Sequence, residues 1–103
     1  MSNYAEDVAK FTNPVDQAAV DAIVKYCGIA LRNRDSSLVS ASDQAELDRI
    51  RDGFAAKKLG LAPDAAAAAI KGVCEKMKGD RSKSRVTFYY LLAEATRTID
   101  KLK

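Results

Sequence analysis

The sequence contains no histidine and no tryptophan, and only two cysteines and two prolines occur among its 103 residues. Without histidine the chain lacks the commonest general base, the commonest transition-metal ligand and the usual serine or cysteine triads. Two cysteines cannot complete a structural zinc site without help from carboxylates. We therefore expect no metal, no cofactor and no catalytic residues.

An enzyme would have to rely on carboxylate, tyrosine, lysine or cysteine chemistry, and this alternative stays open. Phosphate-loop glycines, a nucleotide fingerprint, a nucleophile elbow and an EF-hand loop are all missing from the sequence. Asp48 and Asp52 lie one turn apart on a predicted helix, but paired surface carboxylates are usually solvated. The sequence thus favours a protein that is not an enzyme.

Long hydrophobic runs are also missing, since no stretch approaches the ~20 apolar residues that a membrane span needs. The first residues are acidic and do not resemble a signal peptide. Two cysteines 47 positions apart suggest reduced thiols. Together these features predict a cytoplasmic protein with no membrane partner.

What the sequence does contain is 48% hydrophobic and 30% charged residues, with abundant alanine and few aromatics. This composition argues against disorder and favours helices over a sandwich or barrel. A chain of this length is one domain by the usual size relation. We expect an all-α fold, a compact single-domain bundle of four to five short helices spanning residues 1–103.

Capping signals and apolar spacing locate the first two helices. Asn3 with Glu6 opens a short helix to about Lys10. Asn13 and Pro14 then start a second helix. Its apolar stripe comprises positions 15, 18, 19, 22, 23, 26, 27 and 30, interrupted by Gly28 as a plausible terminator.

Two more helices follow a polar loop over residues 32–42. Asp43 with Glu46 starts the third helix, and Gly60 fits the left-handed position after its end. Its expected buried side chains are those of Leu47, Ile50, Phe54 and Leu61. Pro63 opens the fourth helix, which Gly79 ends, and its alanine run over residues 65–69 would let a neighbouring helix approach closely.

The last segment is ambiguous, because residues 86–90 have strand composition. Apolar residues nevertheless keep helical spacing for four turns as far as Leu102, and a lone strand would have no partner. We predict a helix. On it, one ring of the adjacent pair Tyr89 and Tyr90 should pack inward and the other should reach the surface.

Charge is polarised along the chain, with acids concentrated in residues 1–24 and six basic against two acidic residues in residues 71–85. The basic turn before the last helix places cations and hydroxyls beside exposed helix amides, an arrangement typical of an anion site. The predicted anion-binding residues are Arg81, Ser82, Lys83, Ser84 and Arg85, with Arg32 and Arg34 as contributors from the middle loop. The alternative is a solvated basic turn partly neutralised by nearby acids.

Three segments are similar to those of a small bacterial family of uncharacterised proteins, domain-of-unknown-function family 2853. They are residues 30–32 (Ala-Leu-Arg), 34–40 (Arg-Asp-Ser-Ser-Leu-Val-Ser) and 83–94 (Lys-Ser-Arg-Val-Thr-Phe-Tyr-Tyr-Leu-Leu-Ala-Glu). The resemblance implies a bacterial, mostly helical, single-domain protein. It implies no catalytic or binding residues.

Two functions follow from these observations. The first is a small cytosolic interaction or structural protein without catalysis, which binds a protein partner or a second copy of itself. The second is weak binding of an anion, a phosphate ligand or nucleic acid through the basic turn. The modest net charge of +3 and the lack of a recognisable reading helix place nucleic acid second.

Overall fold

The computed structural model describes residues 4–12, 15–28, 38–39, 43–79 and 84–102. Within these ranges five α-helices follow one another, with a π-helical segment after the third and a 3₁₀ segment after the fifth. They are α1 (Tyr4–Ala9), α2 (Gln17–Cys27), α3 (Gln44–Ile50), the π-helix (Arg51–Lys58), α4 (Pro63–Lys76), α5 (Arg85–Ala95) and the 3₁₀ helix (Ile99–Lys101). No strand occurs in these ranges, so the predicted all-α fold is confirmed.

Helix α5 is the centre of the fold, because α1, α2, α4 and the π-helix all pack against it. Every residue from Val86 to Ala93 is buried, and all of them except Thr87, which donates a hydrogen bond to Asp7, are apolar or aromatic, as expected for a helix enclosed by others. The choice of helix over strand is therefore right for this segment. Tyr90 is 1% exposed and Tyr89 is 7% exposed, so the expectation that one ring reaches the surface is wrong.

Helix α2 begins later than the sequence predicts. Its N-cap is Asp16, whose side chain accepts a hydrogen bond from the backbone N–H of Ala19 at 3.3 Å. The predicted starting residues Asn13 and Pro14 lie outside the described residues. At the other end Gly28 has a φ of 43°, which supports its predicted role as the helix terminator.

The third helix does not continue as a regular α-helix, because it passes into the π-helix at Arg51. The N–H of Leu59 donates to the carbonyl of Phe54, five residues back, at 3.1 Å. These wider turns bury Ala55 and Leu59 completely, whereas the predicted core residues Leu47 and Leu61 are only half-buried.

Helix α5 ends at Ala95, whereas the predicted helix continues as far as Leu102. The chain turns at Arg97, which has a φ of 57°, and the N–H of Thr98 donates to the carbonyl of Ala93 at 2.8 Å. The 3₁₀ helix follows and places Leu102 in the core, where it is 4% exposed. The predicted burial of Leu102 is thus correct although the helix that leads to it is broken.

Gly60 is the position where backbone conformation decides which residue is tolerated. Its φ of 69° lies in the left-handed region, as predicted, and a Cβ there would lie 3.2 Å from Nζ of Lys101. We expect Gly60→Ala to lower the free energy of unfolding by about 1–2 kcal/mol, measured by urea denaturation. Gly72→Ala is the matched control, because it lies inside α4 with open space around it and should raise stability by about 0.5–1 kcal/mol. Equal shifts of the two variants would contradict this account.

Candidate functional site

The start of α5, where the sequence predicts an anion site, is described only in part. Ser84 and Arg85 lie within the described residues. The other predicted site residues lie outside them: Arg81, Ser82, Lys83, Arg32 and Arg34. The structure therefore locates two members of the predicted site, and anion binding stays a prediction.

Arg85 is not a solvated cation, since its side chain is only 13% exposed. Its guanidinium donates to Oε1 of Glu46 at 2.6 Å, to Oη of Tyr89 at 2.9 Å and to the carbonyl of Leu38 at 3.3 Å. We call Glu46, Arg85, Tyr89 and the Leu38 carbonyl the Arg85 cluster. It joins α3, α5 and the middle loop, so its first role is structural.

Electrostatics within the Arg85 cluster favour the charged forms of the ion pair. Burial raises the pKa of the Glu46 carboxyl, but hydrogen bonds from Arg49 and Arg85 outweigh it and hold that pKa below its usual value. Burial acts to lower the pKa of Arg85, and Tyr89 and Glu46 reverse this to a net increase. Burial raises the pKa of Tyr89, against the opposing charge of Arg85. Both members of the ion pair are therefore charged at neutral pH.

Ser84 occupies the N-cap position of α5, but its side chain makes no capping hydrogen bond. Its Oγ is buried and has no hydrogen-bond partner within the part of the chain that the structure describes. The residue instead forms an isolated antiparallel bridge with Leu38. Ser84, one of the residues predicted for the anion site, thus occupies the N-cap position of α5 without capping the helix through its hydroxyl.

Neither cysteine forms a disulfide bond, and Cys27 is a core residue, as its place on the apolar stripe of α2 predicts. Burial raises the pKa of Cys27 to about 11 although the charge of Arg85 opposes the shift, so the group is a thiol and not a thiolate at neutral pH. Cys74 is half-buried on α4. Among the described residues no three carboxylate or thiol side chains are grouped so that they could hold a metal ion.

A second candidate site surrounds Tyr26, the one large hydrophobic side chain that is exposed in the described ranges, at 45%. Its ring meets Phe54 edge-on at a centroid distance of 5.3 Å, and Phe54 in turn stacks on Tyr89 at 4.0 Å. The amine of Lys58 lies over the Tyr26 ring, 6.0 Å from its centroid. The exposed Tyr26 ring is therefore held in place by its edge-on contact with Phe54 and by Lys58 over one face.

An open concave region of about 530 Å³ adjoins this ring. We call its lining the Tyr26 surface: Ala18, Asp21, Ala22, Lys25, Tyr26, Lys58 and Leu102. Ala18, Ala22 and Tyr26 are successive turns of one helix face, so two small side chains beside a large ring create the depression. The π-helix and the end of the chain supply its other wall.

The sequence places Tyr26 on the apolar stripe of α2, which predicts a buried side chain, and its exposure was therefore missed. Ala19, Val20, Ile23 and Cys27 are the buried residues of that helix, while Ala18 and Tyr26 are exposed. The signal that could have shown the exposure is the width of the apolar stripe around the helix. The stripe is too wide for Ala18 and Tyr26 to face the core together with the four buried residues. The basic pair Lys57 and Lys58 gave no hint of the contact with Tyr26, which lies 32 positions away.

No helix in the described ranges is both long and apolar enough to cross a bilayer. The model of one protein family matches residues 3–100, and its description is a protein of unknown function (DUF2853). This confirms the resemblance seen in three segments of the sequence. No curated protein matches the chain.

Proposed function

Since this chain belongs to a family of unknown function, DUF2853, we propose from its surface chemistry that it is a non-catalytic interaction protein. Its partner binds at the Tyr26 surface. The observation that carries the proposal is the exposed, supported ring of Tyr26. Tyrosine is among the residues that contribute most to protein interfaces, because one rigid side chain supplies apolar area and a polar hydroxyl.

Preorganisation supports this function. A ring already fixed against Phe54 and Lys58 loses little side-chain entropy when a partner covers it. The adjoining depression gives a partner side chain a place to insert. By contrast, the lining of the groove between α3 and α4 includes Arg51 and Asp48, which already form an ion pair with each other and so offer a partner less.

The ionisable groups of the interior support a non-catalytic role. Glu46, Arg85 and Tyr89 bind one another, so each already has a structural partner. The free thiol of Cys27 is buried and protonated. The proposal also includes a bacterial cytoplasmic location, which the resemblance and the lack of a disulfide between the two cysteines favour.

Anion binding at the start of α5 is the second candidate, and the unpartnered Oγ of Ser84 is the observation in its favour. It ranks second because Arg85 already forms an ion pair with Glu46. Arg85 is the one cation of the predicted anion site on α5 that lies within the described residues. Such binding would fall steeply with salt. Measuring the thermal unfolding temperature in phosphate and in chloride at equal ionic strength separates this specific binding from general screening. Specific binding raises the unfolding temperature in phosphate only.

Site-specific photo-cross-linking in the native host tests the proposed function. A photoreactive amino acid at position 26 should give one dominant cross-linked product, and the same group at the exposed position 68 of α4 should not. Adding Lys58→Glu to the position-26 probe should reduce that product severalfold if the surface itself is recognised. Mass spectrometry then identifies the product as another protein or as a second copy of this chain.

Equal cross-linking from positions 26 and 68, or a product that Lys58→Glu leaves unchanged, would show non-specific contact and overturn the proposal. A product made of two copies of this chain would redirect it to self-association through the same surface. Light scattering over a dilution series checks that outcome directly.

A further inference from the structure

The lining of the Tyr26 surface has an apolar floor between two amines. Ala18, Ala22 and Leu102 contribute aliphatic groups to the lining, and Lys25 and Lys58 contribute the amines. Neither lysine has an ion-pair partner among the described residues.

The charge of this surface selects for anionic partners. Asp21 is its single acidic lining residue, and Oδ1 of Asp21 already accepts a hydrogen bond from Nε2 of Gln17 at 2.9 Å. The lining thus carries two lysines against one aspartate. Carboxylates of a partner would therefore meet a favourable potential on this surface.

We propose that the occupant is an acidic segment of a protein partner with one large apolar side chain flanked by carboxylates. The apolar side chain enters the depression beside Tyr26, and the carboxylates pair with Lys25 and Lys58. This inference rests on the proposed function and specifies the chemistry of the partner.

Nucleic acid fits this surface less well than an acidic peptide. Single-stranded nucleic acids bind by stacking bases on exposed aromatic faces, with a row of cations along the backbone. Lys58 lies over one face of the Tyr26 ring, so a base stacking on that face would have to displace the amine, and the lining offers two lysines rather than a row of cations. A carboxylate reaching Lys58 needs no such displacement.

Fluorescence anisotropy with the full chain and short labelled probes tests the inference. The main probe is a peptide of glutamates and aspartates around one central leucine. Its comparisons are the same peptide with serine for leucine, a lysine version that keeps the leucine, and a single-stranded oligonucleotide. We expect the acidic leucine peptide to bind most tightly, with at least a roughly tenfold loss on removing the leucine or reversing the charge.

Variants of the protein link that binding to this surface. The double variant Lys25→Ala with Lys58→Ala should weaken binding of the acidic leucine peptide roughly tenfold and flatten its salt dependence. Lys78→Ala with Lys71→Ala is the matched control, since both lysines are exposed on or after α4, and it should leave binding unchanged within about twofold.

Three results would overturn the inference. The serine peptide could bind as well as the leucine peptide, the oligonucleotide could bind more tightly than either, or the control variant could lose as much affinity as the lysine pair on the Tyr26 surface. If no peptide binds while the position-26 cross-link still forms, the stated partner chemistry is wrong and the interaction function stands. If both fail, the proposed function falls as well.

Discussion

Replacing Glu46 with glutamine is expected to lower the free energy of unfolding by about 2–4 kcal/mol. Removing one partner from a buried ion pair costs more than the pair itself contributes, because the other charge is left without compensation. Glu46 and Arg85 have side chains that are 14% and 13% exposed, which places the loss somewhat below that of a fully buried pair. Urea denaturation at neutral pH measures it.

Asp48→Asn is the matched control for Glu46→Gln. Asp48 lies on the same helix, its side chain is 43% exposed, and its pair with Arg51 is a surface contact of 3.4 Å. Surface pairs contribute little, so we expect a change within about 0.5 kcal/mol. Equal losses from the two variants would contradict the structural role of the Arg85 cluster.

The same ion pair predicts how stability depends on pH. The pKa of Glu46 is lower in the folded protein than its ordinary value of 4.5, so the unfolded chain binds the proton more readily. The stability from this group is therefore present above pH 4.5 and is lost as the pH falls through the folded-state pKa. The difference in stability between the natural protein and Glu46→Gln should shrink over that acidic range.

A double-mutant cycle separates the pair from its surroundings. Arg85→Met alone should be destabilising, because the Glu46 carboxylate then loses one of its two arginine partners and keeps only Arg49. Combined with Glu46→Gln, it should cost less than the sum of the two single changes, since neither charge is then stranded. Strict additivity would show that the two residues do not act as a pair.

The second large effect is expected at Phe54. Phe54→Ala should lower the free energy of unfolding by about 3–5 kcal/mol, because Phe54 is 2% exposed and lies between the rings of Tyr89 and Tyr26. That is a large share of the roughly 5–15 kcal/mol that stabilises a typical domain. Phe11→Ala, at a half-buried position, should cost only about 1–2 kcal/mol in the same denaturation experiment.

Phe54 also connects stability with the proposed binding surface. Phe54→Leu keeps most of the apolar volume and should preserve the fold at a smaller cost than alanine. It removes the aromatic edge contact that supports Tyr26, so binding of the acidic leucine peptide should weaken although the protein stays folded. Unchanged affinity in a folded Phe54→Leu protein would show that the support of Tyr26 is irrelevant to binding.

Local signals in the sequence predicted most of the fold. Asp43 does accept the capping hydrogen bond from Ala45 at 3.0 Å, and Gly60 does adopt the left-handed conformation. Pro63 opens α4 as expected. Each of these features depends on residues only a few positions apart, which is why capping and turn rules were sufficient.

Features that depend on distant contacts could not be predicted in the same way. The start of α2 coincides with a hydrogen bond from the backbone N–H of Asp16 to Oη of Tyr90, 74 positions away. The π-helix has no local signature comparable to a cap. Its wider turns moved Ala55 into the core and left Leu47 half-buried.

The candidate sites illustrate the same limit. The basic turn was visible in the sequence as a run of cations. The partner of Arg85 is Glu46, 39 positions away, and a run of like charges does not show which distant residue will pair with it. Tyr26 was visible only as part of an apolar stripe. Its exposure depends on how far the π-helix and the end of the chain extend across α2.

The measurement that tests the central claim most directly is an amide NMR titration of the full chain with the acidic leucine peptide. We predict that the largest shifts fall on residues 18–28, 57–60 and 99–102, which build the Tyr26 surface, while the amides of the Arg85 cluster stay unchanged. Shifts centred on the start of α5, at Ser84 and Arg85, would contradict the account and favour the basic turn as the binding site.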